Sequence, residues 1–316
     1  MEQANENRQG GAVVIREAPA KINLHLRVKG LRTDGYHALE SVFLALDWGD
    51  TLRIDISKRP GACELFRNCL FPPGELAFPP EQDLAYRAAV LFREKTGFDR
   101  ALRIELDKRI PLGAGMGGGS SDAAAVLLAL DQAAGTGLSQ AALKALAEAL
   151  GSDVPFFLSP GAALIYGRGE EVIPLDSPRN MWVVLVNPGF PQDTAGAFRL
   201  LDLERGRGWP ALEKTSPETL ARALSGPPGL WPYGNDFLPL FLERGPGEEA
   251  EAYRGIMLSL TALGAEFVSL SGSGSTCFGI FTHGGSAERA VQVLAEEWDF
   301  VRMTFPLARS GNAVLQ

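Results

Sequence analysis

The chain has 316 residues, and 30 Lys and Arg against 38 Asp and Glu leave a net charge of −8 at neutral pH. Its 46% hydrophobic and 22% charged residues are ordinary globular usage, which excludes general disorder. The acidic balance argues against nucleic acid as the main partner, because phosphate backbones are bound by basic patches.

That length predicts one large or two medium domains. Residues 1–11 read as a flexible tail, and the start MEQANENRQG has no basic segment followed by an apolar one, so no signal peptide is expected. AVVIREA at 12–18 reads as a strand. After Pro19, Ile22, Leu24, Leu26 and Val28 alternate with Asn23, His25, Arg27 and Lys29, which predicts a half-buried strand. Lys21, Asn23 and His25 share its polar face. Asp34-Gly35 is a turn signal, and 41–46 and 51–57 again look like strands. Residues 59–82 carry Pro and Gly and little pattern. Asp83 caps a helix that Gly97 stops, with Leu84, Ala88, Leu91 and Phe92 as its stripe. Leu102, Ile104 and Leu106 mark a strand, a glycine-rich loop follows at 111–119, and helices are expected from Ser120 to about Ala134 and from Ser139 to Leu150.

Beyond Gly151 the apolar run WVVLV at 182–186 predicts a buried strand, and Thr194–Leu203 a helix. Ser216-Pro217-Glu218 is a helix start, with proline at the first position and an acid in the first turn. A helix at 248–263 precedes strand 266–270, the loop SGSGS, strand 277–282, helix 287–297 and strand 301–306. Joined by 182–186, that tail closes a split β-α-β sandwich. A domain boundary is expected near 175–180, dividing 12–177 from 178–316.

Cys63, Cys69 and Cys277 form no C-x-x-C pair, and His25, His37 and His283 do not fall at ligand spacing with them, so reduced thiols and no zinc site are expected. The longest clean apolar run, Ala123 to Leu130, has 8 residues, too short to span a bilayer; a soluble, cytoplasmic protein is expected.

The informative stretch is Pro111-Leu112-Gly113-Ala114-Gly115-Met116-Gly117-Gly118-Gly119-Ser120-Ser121-Asp122. Glycines let backbone N–H groups converge and a ligand come close. The following helix offers free N–H groups and the positive end of its dipole. Together they predict a phosphate site. Ser120 and Ser121 add hydroxyls in reach of a phosphate oxygen or Mg²⁺, the plainer alternative being Ser120 as a helix cap. No Lys precedes Ser120, so this is not a Walker A loop. Gly113-x-Gly115-x-x-Gly118 matches the dinucleotide pattern, but no strand-end acid follows about 20 residues on. No G-x-S-x-G hydrolase motif occurs. In Gly151-Ser152-Asp153-Val154-Pro155, Asp153 is either a helix cap or a carboxylate able to take a proton from a hydroxyl, with Lys21 as its cation. Ser271–Thr276 is either a plain turn or a loop against a ligand.

PAKINL at 19–24, PLGAGMGGGSSDAA at 111–124, GSDVPFFL at 151–158 and LSGSGSTCF at 270–278 resemble, in order and spacing, the GHMP small-molecule kinases. DGYHALESVFLALDWGD at 34–50 resembles the branch acting on a cytidine-diphosphate-linked polyol in the non-mevalonate isoprenoid route. The resemblance runs from about 14 to 306. It implies an α+β, two-domain fold: an N-terminal ribosomal-protein-S5-like nucleotide-binding domain, a C-terminal ferredoxin-like domain, and an active site in the cleft between them. It implies ATP-dependent phosphorylation of the polyol 2-hydroxyl, with Mg²⁺. In that pattern Asp153 is the base, Lys21 its partner, and Asn23 holds the polyol. Residues 111–121 cradle the phosphates with Lys108 nearby. Tyr36 and Phe198 stack the cytosine, His37 bonds its edge, and Thr194 joins the substrate contacts. Two positions depart from the pattern: Asp83 replaces an Asn, and Gln192-Asp193-Thr194 replaces Val-Ser-Thr. The alternatives are a GHMP kinase for another alcohol, such as homoserine or a mevalonate derivative, and a nucleotide-binding sensor without catalysis. A scaffold would leave the glycine loop unexplained.

Overall fold

The computed structural model describes residues 11–71, 73–74 and 78–308. Apart from Gly11, the tail expected at 1–11 lies outside the described residues. In chain order the elements begin with strands β1 (Ala12–Leu31), β2 (His37–Pro60), β3 (Cys63–Leu70) and β4 (Pro73–Gly74), helix α1 (Leu84–Thr96) and strand β5 (Arg100–Lys108). Helices α2 (Gly118–Ala134), α3 (Gln140–Leu150) and α4 (Val154–Phe157) follow. Then come β6 (Ala162–Tyr166), β7 (Glu171–Leu175), β8 (Trp182–Asn187), α5 (Thr194–Gly206), α6 (Pro217–Ala223), α7 (Phe237–Arg244) and α8 (Gly247–Ala262). The chain closes with β9 (Phe267–Leu270), β10 (Cys277–Phe281), α9 (Gly284–Leu294) and β11 (Phe300–Thr304).

Two compact units interleave along the chain. The first takes residues up to Pro19, Gly49–Ile110 and Gly118–Leu158; the second takes Ala20–Trp48, Pro111–Gly117 and Ser159 onward. The single cut expected near 175–180 falls inside the second unit. The reason is pairing: the first half of β2 pairs antiparallel with β6, and β6 with β7, so 162–175 joins that unit.

In the first unit the second half of β2 pairs antiparallel with β5, and β5 pairs parallel with β3. Helix α1 packs on α2, with Ala85, Ala88 and Ala89 buried on one and Ala123, Ala124 and Ala129 on the other. Such small residues let helices approach closely, so a short sequence builds a dry layer. Asp83 caps α1 by accepting from Ala85 N, and Gly97 ends it at positive φ, as the sequence predicts. Ser139 and Ser216 cap α3 and α6 in the same way.

The strands expected on either side of Pro19 are one strand of 20 residues. Proline fits an extended chain wherever its missing N–H has no ladder role. Across from it stands Gly49, where a Cβ would come within 2.0 Å of Ala18 O and 2.6 Å of Pro19 Cα. Only glycine allows that approach. Strand β3 arises in the patternless 59–82 stretch, because pairing with β5 supplies the order that local alternation lacks.

In the second unit β11, β8, β10 and β9 form, in that order, an antiparallel sheet. That is the split β-α-β arrangement the tail predicts. Its core gathers Val184 and Val186 from β8, Phe237 and Phe241 from α7, Tyr253 and Ile256 from α8, and Ala287 and Ala290 from α9. Among the described residues no helix is long and apolar enough to cross a membrane.

Candidate active site

The segment Pro111–Gly117 is held by four consecutive carbonyls. Gly113 O accepts from Gln192 N at 3.0 Å, Ala114 O from Thr276 N at 3.2 Å, Gly115 O from Ser271 Oγ at 2.9 Å and Met116 O from Lys21 N at 3.0 Å. These peptide bonds are trans. In a trans peptide the N–H points opposite to the C=O. The N–H groups of residues 114–117 therefore aim away from the body that grips the loop. Gly113, Gly115 and Gly117 alternate at positive φ, which produces this one-sided array. At Gly115 the need is also steric: a Cβ would meet Ser271 O at 2.0 Å and Gly274 O at 2.8 Å. The Ser271–Thr276 loop is thus the backing of the glycine loop, more than the plain turn that was one of its two expected readings.

That backing is itself tied down. Asn187 Nδ2 donates to Thr276 Oγ1 at 3.0 Å and Ser275 Oγ at 3.2 Å, and Asn235 Nδ2 donates to Leu270 O and Gly272 O, both at 2.8 Å. Asp236 receives Val28 N at 2.7 Å, Leu212 N at 2.9 Å and the Arg205 guanidinium at 2.8 Å. Sequence reasoning misses all three residues. Asn187 directly follows the apolar run 182–186, and that polar residue closing it is the only signal.

Helix α2 starts at Gly118, two residues before the expected start, so Ser120 sits in its first turn and not at its cap. Ser121 Oγ is buried without a hydrogen-bond partner among the described residues. Beside this helix start lies Lys108: a Cβ on Gly118 would stand 3.1 Å from its Nζ. Lys108 is buried and gives its ammonium to Asp50 and, at 2.6 Å, to Asp122. Asp50 also receives Arg109 N and Ile110 N. Burial opposes the Lys108 charge, but Asp122 and Asp50 outweigh it and hold the ammonium above the usual lysine range. Burial, against the pull of Lys108, pushes the Asp122 carboxyl above the usual carboxylate range.

In the second unit Lys21 Nζ donates to Asn23 Oδ1 at 2.7 Å and lies 4.5 Å from the centre of the Phe43 ring. Both Lys21 and Asn23 are buried. Asp153, in the first unit, precedes α4, yet its side chain makes no capping bond to that helix.

Of the residues expected at the cytosine, the structure brings Phe198 and His37 together and leaves Tyr36 apart from them. Phe198 stacks on His37 with ring centres 4.9 Å apart and planes 25° apart. His37 Nε2 lies 2.9 Å from Asp202 Oδ1, which fixes the imidazole's orientation. Phe198 is braced edge-on against Phe237 at 5.0 Å. Tyr36 is 52% exposed with the Arg168 guanidinium over its ring at 5.1 Å. Thr194 Oγ1 receives Ser273 Oγ at 3.1 Å. Asp202 is a partner that sequence reasoning did not find. Among the described residues no three His, Cys, Asp or Glu side chains cluster as a metal site.

Residues 83–161 match the family model described as the GHMP kinases N terminal domain, and residues 210–299 match the GHMP kinases C terminal. The chain belongs to the GHMP kinase family. A relative from Anaeromyxobacter sp. (strain K), named 4-diphosphocytidyl-2-C-methyl-D-erythritol kinase, is 43% identical over 284 residues, covering 86% of this chain and 82% of its own. A crystal structure of 4-(cytidine 5'-diphospho)-2C-methyl-D-erythritol kinase is similar at a TM-score of 0.72 and 35% identity, covering 92% of this chain and 98% of the other. Homoserine kinase from Cytophaga hutchinsonii is similar at a TM-score of 0.63 and 20% identity, covering 95% and 96% of the two chains; that likeness shows the shared fold. This GHMP kinase is accordingly an enzyme that transfers a phosphoryl group.

Two stability tests follow from the buried charges of this GHMP kinase. Lys108→Met leaves Asp50 and Asp122 buried without their cation and is expected to cost about 3–5 kcal/mol in urea unfolding; an unchanged midpoint would contradict the triad. His25 is buried, its Nδ1 accepts from Gly234 N, and its Nε2 has no hydrogen-bond partner among the described residues. Burial, against the opposing charge of Glu40, lowers its pKa to about 4. The unfolded imidazole gains its proton first as pH falls, so this stability is complete above about 6.5 and disappears toward about 4, a loss of at most about 3.4 kcal/mol. Unfolding titrations from pH 7 to 4 should show a shallower slope for His25→Gln than for the unaltered chain.

Proposed function

We propose that the chain transfers the γ-phosphoryl group of ATP to the 2-hydroxyl of 4-diphosphocytidyl-2-C-methyl-D-erythritol, in the cytoplasm, as a step of non-mevalonate isoprenoid precursor synthesis. The observation that carries the substrate is the stack of Phe198 on His37, with the imidazole pinned by Asp202. A flat ring braced from behind and an oriented nitrogen suit a planar base, which is bound by stacking and identified by edge hydrogen bonds. Tyr36, exposed nearby in sequence, is assigned to the second face of that base. Homoserine and mevalonate carry no base, so these rings would be idle in a kinase for either alcohol. The relatives' names supply the rest of the substrate.

The residues present fit ATP. The outward amides of 114–117 offer anion donors in an array that a Cβ at Gly115 would displace by meeting Ser271 O and Gly274 O, and the start of α2 with its unpartnered Ser121 hydroxyl offers a second set. Pro111, Leu112, Gly118, Gly119 and Ser120 complete its wall. Lys108 acts there through the helix start, since its ammonium is engaged by Asp50 and Asp122. Mg²⁺, when bound with ATP, neutralises phosphate charge. Ser120 or Ser121 and the phosphates would be its ligands, the described residues holding no cluster of three His, Cys, Asp or Glu side chains.

Asp153 accepts the proton of the 2-hydroxyl. That oxygen bonds to the γ-phosphorus as the bond from phosphorus to the bridging oxygen breaks, and ADP leaves. Lys21, held by Asn23, orients the hydroxyl and offsets the charge that develops on its oxygen. Asn23 and Thr194 position the polyol. Such a transfer needs mainly alignment and charge stabilisation.

The test is ADP release by the purified chain with Mg-ATP and, in parallel, the cytidine polyol, mevalonate and homoserine. Turnover is expected with the cytidine polyol alone, and Asp153→Asn is expected to lower kcat by at least about 10²-fold. Turnover of another alcohol would overturn the assignment of Tyr36, His37 and Phe198. ATP binding without turnover on any of the three would favour a sensor.

A further inference from the structure

Ser41 is fully buried on β2. It contacts no reacting group in the proposed mechanism, yet it occupies the end of a polar chain that leads to Lys21. A serine hydroxyl has one proton and two acceptor positions. The proton of Ser41 goes to the backbone carbonyl of His25. Only acceptor capacity is left for its other neighbour, Asn23, whose Nδ2 donates to Ser41 Oγ at 3.0 Å. This decides the orientation of the Asn23 amide. With its NH₂ committed to Ser41, its Oδ1 faces Lys21 and accepts from Nζ at 2.7 Å. The flipped amide would turn N–H donors toward an ammonium that can only donate, and its carbonyl toward a hydroxyl with no proton left to give.

The arrangement follows from strand geometry. Lys21 and Asn23 are two apart on β1 and so project on one face, and Ser41 lies on β2, which β1 pairs with. The Phe43 ring, two residues along β2 from Ser41, flanks the ammonium from a second side.

We propose that Ser41 is a positioning residue for phosphoryl transfer: it sets the Asn23 amide in the one orientation that presents a carbonyl oxygen to the Lys21 ammonium. The proposal rests on the kinase reading of Lys21 given above. Its consequence is selective. Losing the lock leaves ATP binding in place and disorders the Asn23 amide together with the ammonium that acts at the reacting oxygen.

The experiment compares the unaltered chain with Ser41→Ala and Ser41→Thr in three measurements: kcat and KM on whichever alcohol is turned over, the thermal midpoint, and the solvent exchange rate of the Asn23 side-chain NH₂ by ¹⁵N-resolved NMR. Ser41→Ala is expected to lower kcat on the order of tenfold to a hundredfold, with the KM for ATP within about twofold. Its Asn23 amide is expected to exchange faster. Ser41→Thr, which keeps the hydroxyl, is expected to recover most of kcat and the slow exchange. An unchanged kcat in Ser41→Ala, a loss that threonine does not restore, or an Asn23 amide that exchanges no faster would each overturn the proposal. If the unaltered chain turns over none of the alcohols, the kinase reading fails, and the amide exchange rate by itself still decides whether Ser41 holds Asn23.

Discussion

Four backbone carbonyls in a row, Gly113 to Met116, point into the second unit and are bonded there. The functional reading of this chain depends on that constraint. Because the peptides are trans, fixing the carbonyls on one side fixes the amides on the other, and four N–H groups are presented together without any side chain being spent on them. The donors that hold the carbonyls come from β1 (Lys21), the segment before α5 (Gln192) and the loop between β9 and β10 (Ser271 and Thr276). Three stretches far apart in sequence thus agree on one loop conformation. Lys21 serves twice: its backbone N–H secures Met116, while its ammonium is turned to Asn23.

The buried polar groups around this loop form two frameworks. In the second unit, Asn235 and Asp236 are satisfied mainly by backbone groups and Asn187 donates to the Ser275 and Thr276 hydroxyls, so together they fix where loops run. In the first unit, Lys108 gathers Asp50 and Asp122 beside the beginning of α2. Desolvation makes such a cluster costly to leave incomplete, and removing one member strands the others. The same side chain in an exposed setting would be a mobile phosphate contact; here it is part of the frame.

Much of this was legible in the sequence, because the signals were local. Asp83 and Gly97 bracket α1, Ser139 and Ser216 cap their helices, and the alternation of Ile22, Leu24, Leu26 and Val28 marks a strand. The glycine density at 113–119 and the four motifs in register carried the family. What was not legible depends on partners distant in the chain. Pro19 sits within one long strand because Gly49 faces it. Cys63–Leu70 becomes a strand through pairing with β5. Asp202 matters only because folding places it on His37, and Asn235 only because the β9–β10 loop lies over it. Lys108 was read as a nucleotide neighbour, and its two buried carboxylates could not be inferred from spacing alone.

The most direct measurement is calorimetric titration of Mg-ATP into the unaltered chain and into Gly115→Ala, at a temperature where circular dichroism shows both folded. If the one-sided loop is the phosphate cradle, the alanine methyl must push the loop off Ser271 and Gly274, turn the amides out of register and weaken binding by at least about tenfold, or about 1.4 kcal/mol. Equal affinity in the two proteins would contradict the cradle and, with it, the placement of ATP on residues 111–121.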